Sequence, residues 1–197
     1  MARKYELKKR AESMDDTRRR ITEAAVDLHG SVGPARTTVT AVADRAGVQR
    51  HTVYRHFPTD ADLFAACSGL FDSRHPWPDA ERWRNVADPR ERLAGGLDEL
   101  YRYYEQTGHM WANVLRDWEH VETVAPTMAP LEDQLAAYAR VLASGWPARG
   151  GRRRVVLAAA RHAVDFATWR SLIEQGGISR AQAVSLMSAL VGSAATD

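Results

Sequence analysis

The chain of 197 residues holds one cysteine, Cys67, so no disulfide can close within it and no cluster of thiolates can bind a metal. An uninterrupted apolar run of about 18 residues is missing, so no membrane-spanning helix is expected. The first ten residues are basic, but no apolar stretch follows them. No secretory signal is therefore expected, and the chain is expected to be cytoplasmic. Lysine is confined to Lys4, Lys8 and Lys9; every other basic side chain is arginine. The spacings that carry common chemistries are also absent: no HExxH pair, P-loop, glycine-rich dinucleotide turn or GxSxG elbow. His109, Glu119, His120 and Glu122 lie close in sequence without metal-ligand spacing. Cys67 falls on an apolar helical stripe, where an inert core thiol is expected. The reading is that the chain is not an enzyme and has no metal and no cofactor.

What is present is a helical chain with charge gathered at one end. Hydrophobic residues make up 45% and charged residues 26%, enough for a packed core. Residues 1–60 carry 12 Lys+Arg against 8 Asp+Glu, whereas residues 61–197 carry 15 against 17. A basic end suits a phosphate-binding head. Chance imbalance is the plain alternative for so few charges.

No segment alternates as a strand does, and the apolar spacing is helical throughout. Residues 1–14 read as a basic, loosely ordered arm. Met14 to His29 reads as a helix with Ile21, Ala24, Ala25 and Leu28 on one stripe. Gly30 to Pro34 breaks it. Thr38 suits an N-cap for Val39–Ala46, and Gly47 can take the left-handed conformation that a tight turn needs. Gln49–Phe57 is a second short helix, and Thr59 caps a third that carries Leu63, Phe64, Cys67, Leu70 and Phe71. Residues 75–78 (His-Pro-Trp-Pro) read as a linker. Asp88-Pro89 starts another helix, striped with Leu93, Leu97, Leu100, Tyr101 and Tyr104. Gly108 is expected to separate it from a short helix bearing Trp111, Val114, Leu115 and Trp118. Helices are further expected from Pro126 to about Ser144, over Arg152–Glu174, and from a capping box at Ser179 to Val191. The fold class is all-α with about nine helices. Its expected parts are an arm over 1–14, a three-helix domain over 15–71, whose binding role the residues from Thr38 to His56 carry, and a larger helical domain over 72–197.

Two short helices joined through Ala46-Gly47-Val48 form a helix-turn-helix, whose second helix enters the DNA major groove. Gln49, Arg50, His51, Thr52, Tyr54, Arg55 and His56 crowd that second helix with hydrogen-bonding groups. Arg50 or Arg55 can reach guanine O6 and N7; Gln49 can pair with adenine or meet a phosphate. Thr38 and Thr40, at the start of the preceding helix, can meet the backbone through hydroxyls and free N–H groups. The bland alternative is a solvated polar face.

The helix from Asp16 to His29, Thr37-Thr38-Val39, Ala43, Ala46-Gly47-Val48, Thr52-Val53-Tyr54, His56-Phe57 and Leu63 together resemble the DNA-binding domain of the TetR (tetracycline repressor-like) transcriptional regulators. The resemblance implies phosphate contacts from Tyr54 and His56. It also implies a homodimer on a palindromic operator, a repressor by default, and a ligand cavity among the central helices. Asp60 stands where the family usually has lysine, so no phosphate role passes to it; Arg18–Arg20 or the arm could offset its charge. Beyond residue 71 the resemblance is one of layout. The stretch from Asp165 to Leu172 and the helix after it are similar to the family's dimerisation helices.

All six tryptophans follow residue 71. Tyr101, Tyr104, Trp111, Leu115 and Trp118, completed by His162, Phe166 and Trp169, could line a cavity for a small apolar or aromatic effector. Ordinary core packing is the alternative for each of them. Small residues on Arg152–Glu174, with Val184, Met187, Leu190 and Val191 after Ser179, suit half of a four-helix dimer interface. They would suit monomer core as well. The helix from Thr59 to Phe71 is the natural lever for an effector response. A second functional reading is an effector-independent DNA-binding protein whose helical body binds another protein.

Overall fold

Good helix formers and well-placed caps give ten α-helices in a computed structural model that describes residues 2–121 and 125–196. There is no strand among the described residues, and no helix among them is long and apolar enough to cross a membrane. The chain forms two units. The first is Met1–Pro76 with His109–Pro126, and the second is Trp77–Gly108 with Thr127–Asp197.

The first unit contains α1 (Ala2–Ser31), a 3-10 turn (Pro34–Arg36), α2 (Val39–Ala46), α3 (Arg50–His56) and α4 (Asp60–Arg74). α1 begins at Ala2, so residues expected to be a loose arm are helical. Arginine, lysine, glutamate, leucine and alanine there are strong helix formers, and their charge does not oppose that preference. Ile21, Ala24, Ala25 and Leu28 of α1 are buried, as are Val42, Ala43 and Ala46 of α2, Val53 and Phe57 flanking the end of α3, and Leu63, Phe64, Cys67 and Phe71 of α4. Burying one such large side chain contributes about 1.5–3 kcal/mol.

The turn between α2 and α3 is fixed by local chemistry. Thr38 Oγ accepts from the Ala41 N–H at 3.1 Å and caps α2. Gly47 takes φ 65°, where a Cβ would be strained. Its N–H donates to Asp44 O, and the Val48 N–H donates to Ala43 O, the paired closure of a Schellman motif. Thr59 and Asp62 form a reciprocal capping box that starts α4.

The second unit contains α5 (Ala80–Arg84), most of α6 (Pro89–Asp117), α7 (Ala125–Leu142), α8 (Gly151–Val164), α9 (Phe166–Trp169) and α10 (Arg180–Ala195). α6 passes its residues from His109 onward to the first unit. Three expectations change here. α5, capped by Asp79 and anchored by buried Trp83, lies just past the His-Pro-Trp-Pro linker. α6 runs unbroken through Gly108, because that glycine packs on Trp169; a Cβ there would sit 2.7 Å from the ring. Close packing outweighs the roughly 1 kcal/mol helix penalty of glycine. The long helix expected over Arg152–Glu174 breaks at Asp165 (ψ 135°) and resumes as α9, followed by a π turn over Arg170–Gln175. The break frees the carbonyls of Ala163 and Val164, which accept from the Tyr101 and Tyr104 hydroxyls, each at 2.8 Å. Asp165 Oδ1 then accepts from the Ala167 N–H and restarts the helix.

Candidate nucleic-acid interface

α3 has seven residues and two faces. Val53 and the following Phe57, each 1% exposed, hold it to the core. Gln49, Arg50, His51, Tyr54 and Arg55 are exposed, and Thr52 and His56 are half-buried. All seven candidate residues from Gln49 to His56 thus lie on or beside one short helix. Arg50 Nη2 donates to the Tyr54 hydroxyl at 3.2 Å, and its guanidinium lies 5.6 Å from the ring centroid. That hydrogen bond holds the Arg50 pKa above its ordinary value, with a smaller contribution from the charge of Asp60. The imidazole of His56 is shifted down, first by burial and then by the charges of Arg55 and Arg18. Its Nε2 is buried without a hydrogen-bond partner among the described residues.

Thr38 and Thr40 are exposed at the start of α2. The Ala41 N–H is taken by Thr38 Oγ and the Val42 N–H by Thr38 O. The N–H groups of Val39 and Thr40 have no partner within the helix, as the first turn of any helix dictates. Thr38, Thr40, Arg50, Tyr54 and Asp60 line one cleft of about 640 Å³, walled on its apolar side by Val42, Leu63 and Phe64. A backbone phosphate seated there would meet hydroxyls, free N–H groups and a guanidinium on one side, and one carboxylate on the other.

Two sets of side chains hold this surface, and neither is readable from spacing. From α1, Arg18 Nη1 donates to His56 O at 2.7 Å, with its guanidinium 4.1 Å from the centroid of the Phe57 ring. Arg20 donates to the carbonyls of Ala46 and Gly47. Arg19 turns away and pairs with Asp16 at 2.6 Å and Glu23 at 3.1 Å. Arg18 and Arg20 therefore support the reading head itself, where the sequence suggested a counterweight to Asp60. From the end of α6, Asp117 Oδ2 accepts from the Ala35 N–H at 3.0 Å and Arg116 donates to Val32 O at 3.0 Å. Asn113 donates to Gly30 O at 2.8 Å and His29 O at 3.2 Å. The hydrogen bond from Arg116 holds the Asp117 carboxyl below the usual range. Gly33, at φ 94°, lets this segment approach; a Cβ there would sit 2.2 Å from Arg116 Nη2.

Behind the cleft, His29 Nδ1 lies 3.3 Å from Cys67 Sγ. Burial lowers the His29 pKa to about 4 and raises the Cys67 thiol to about 12. Such a thiol is protonated and unreactive at neutral pH. No group of His, Cys, Asp and Glu suited to a metal occurs among the described residues.

The candidate ligand residues divide between the units. In the second, Tyr104, Phe166 and Trp169 pack with centroids 5.3 to 5.7 Å apart, and Tyr101 is buried with its hydroxyl on Ala163 O. Trp169 Nε1 is buried there with no partner among the described residues. His162 is exposed, its Nδ1 3.3 Å from Thr168 Oγ1, and does not join that cluster. Trp111 and Leu115, on the part of α6 that belongs to the first unit, and Trp118, in the turn just after α6, are half-buried. Sequence reasoning overlooked the stack of Trp77 on Tyr103, with centroids 4.4 Å apart, and the hydrogen bond from Trp83 Nε1 to Glu99. On α8 and α10, Val155, Leu186 and Leu190 are exposed by 55%, 49% and 41%.

Comparison with known proteins gives this geometry a context. Residues 21–67 match the model of bacterial regulatory proteins of the tetR family. The HTH-type transcriptional repressor KstR of Mycobacterium tuberculosis is 28% identical over 142 residues, which is 70% of this chain and 63% of KstR. The HTH-type transcriptional regulator TtgR of Pseudomonas putida is 39% identical over 69 residues, 35% of this chain and 31% of TtgR. Among solved structures, a TetR-like transcriptional regulator from Rhodococcus sp. RHA1 superposes with a TM-score of 0.59 at 19% identity, covering 89% of this chain and 93% of that one. That likeness is one of fold.

Proposed function

We propose that this chain, which belongs to the TetR family of bacterial regulatory proteins, is a transcriptional repressor and not an enzyme. It binds a palindromic operator as a homodimer and lets go when a small apolar or aromatic effector binds. The observation that carries the reading is the exposed polar face of α3, anchored by Val53 and Phe57 while Gln49, Arg50, His51, Tyr54 and Arg55 stay free to meet base edges. Thr38, Thr40 and Thr52 add hydroxyls for the backbone, and His56 adds an imidazole at the end of the helix.

Two reading heads related by a two-fold axis require two related half-sites. The dimer face is α8 to α10, within Arg152–Glu174 and Ser179–Val191. Its support is Val155, Leu186 and Leu190, three large apolar side chains open to water. The effector site draws on Tyr101, Tyr104, Phe166 and Trp169, all within the second unit. The unpaired Trp169 N–H favours an effector that brings a hydrogen-bond acceptor to an aromatic wall. Release requires that the effector prefer the conformer that does not grip DNA; tight binding alone shifts nothing. One observation favours the other reading, a solid body that docks a protein: the Tyr101 and Tyr104 hydroxyls already have backbone partners.

The test is a titration of the protein into a duplex carrying its own promoter region, with sedimentation run alongside. Two chains per duplex and a dimer in free solution are expected. A monomer at micromolar concentration removes the dimer, and operator affinity untouched by every small aromatic ligand that binds the protein removes the effector.

A further inference from the structure

We propose that Arg18 and Arg20 are positioning residues for base recognition: from one turn of α1 they grip the C-terminal ends of both helices of the helix-turn-helix. The inference rests on the operator-binding reading and adds what fixes the angle at which α3 is presented. A helix end leaves carbonyls without partners and carries partial negative charge, so a guanidinium there satisfies both. Arg20 takes the end of α2 through Ala46 O and Gly47 O. Arg18 takes the end of α3 through His56 O, and the Phe57 ring beneath its guanidinium pins it. Phe57 is itself core, so Arg18 joins the buried and exposed sides of α3. The next residues of α1, Ile21, Ala24 and Ala25, are buried, which makes the mount rigid. Two residues of one anchored helix thus hold the ends of α2 and α3 in place.

Three consecutive arginines in a DNA-binding head would ordinarily be assigned to phosphates, and the two assignments predict different data. A lost phosphate contact weakens binding to all sequences and reduces the salt slope by about 0.9. Lysine replaces arginine in that role, because a point charge suffices. A lost clamp tilts α3 and weakens the selected operator more than random duplex. Lysine rescues it poorly at position 18, because an ammonium cannot lie flat on the Phe57 ring; at position 20 one nitrogen already reaches both carbonyls, so the operator-to-random ratio and hydrogen exchange decide there.

The experiment measures wild type, Arg18→Ala, Arg18→Lys, Arg20→Ala and Arg20→Lys on a selected operator and on random duplex across a salt series. Hydrogen exchange of residues 48–57 is followed in the free protein. The expected result is a fall of about ten-fold in operator affinity, the scale of one charge-assisted hydrogen bond. Little change is expected on random duplex or in salt slope, lysine at position 18 gives partial rescue at most, and exchange in residues 48–57 quickens while α10 is unchanged. A salt slope lowered by about 0.9 with full rescue by lysine overturns the proposal; so does unchanged exchange with unchanged specificity. Should an alanine variant unfold, Arg18→Met and Arg20→Met keep the apolar stems and take its place. Wild type without preference for any duplex sinks the operator reading instead, and exchange then decides the clamp by itself.

Discussion

The exposed face of α3 is polar, whereas α8 and α10 expose large apolar side chains among their polar ones. On α3, Gln49, Arg50, His51 and Arg55 face water, and Tyr54 keeps 39% of its surface exposed. On α8 and α10 the exposed large apolar residues are Val155, Leu186 and Leu190, while the hydroxyls of Tyr101 and Tyr104 are consumed inside on backbone carbonyls. The proposed function gives these two surfaces different partners. One is suited to phosphates and base edges, where hydrogen bonds stay wet. The other is suited to a like surface that removes apolar area from water.

The largest effect that would break this contrast is loss of the anchor beneath the polar face. Phe57→Ala should destabilise the first unit by about 3–5 kcal/mol. Hydrogen exchange in α10 should report the second unit and change little.

A pH titration sharpens the contrast next. His29 is buried neutral, with its pKa lowered to about 4. Its unfolded value is about 6.5, so between those values the unfolded chain binds the extra proton. Stability from this group is whole above about pH 6.5 and fades as pH falls towards 4, by up to about 3 kcal/mol. Wild type should lose more stability than His29→Gln over that window; parallel curves would contradict the assignment.

Arg50→Ala should weaken operator binding by about five- to a hundred-fold and relax preference at one base position, because a bidentate base contact is worth that much. The salt slope separates this from a phosphate role. Val155→Asp and Leu190→Asp should shift sedimentation towards monomer without altering helix content. Tyr104→Phe, the mildest change, should cost about 1–3 kcal/mol in the second unit by leaving Val164 O unpaired, and should leave the DNA head untouched.

The two regions also differ in how far they could be read from residues. Thr38, Gly47 and Thr59 act within a few positions of themselves, so the turn, caps and exposed face of the reading head were all legible. Their supports were not. Arg18 meets His56 across 38 positions, and Asp117 meets Ala35 across 82, which no local spacing reports. In the second unit Gly108 looked like a breaker because its partner, Trp169, lies far along the chain. The break at Asp165 was invisible for the same reason: the tyrosines that take up its loosened carbonyls stand 62 and 60 positions away. Of the ligand candidates, the aromatic stripe was visible, whereas His162 sits on the exposed side of α8.

The most direct test of the central claim is selection of random duplex fragments by the purified protein, followed by sequencing. Enrichment of one inverted repeat is expected, with half-site centres spaced by about one helical turn or a multiple of it. Random recovery, or no duplex retained even at low salt, would contradict it.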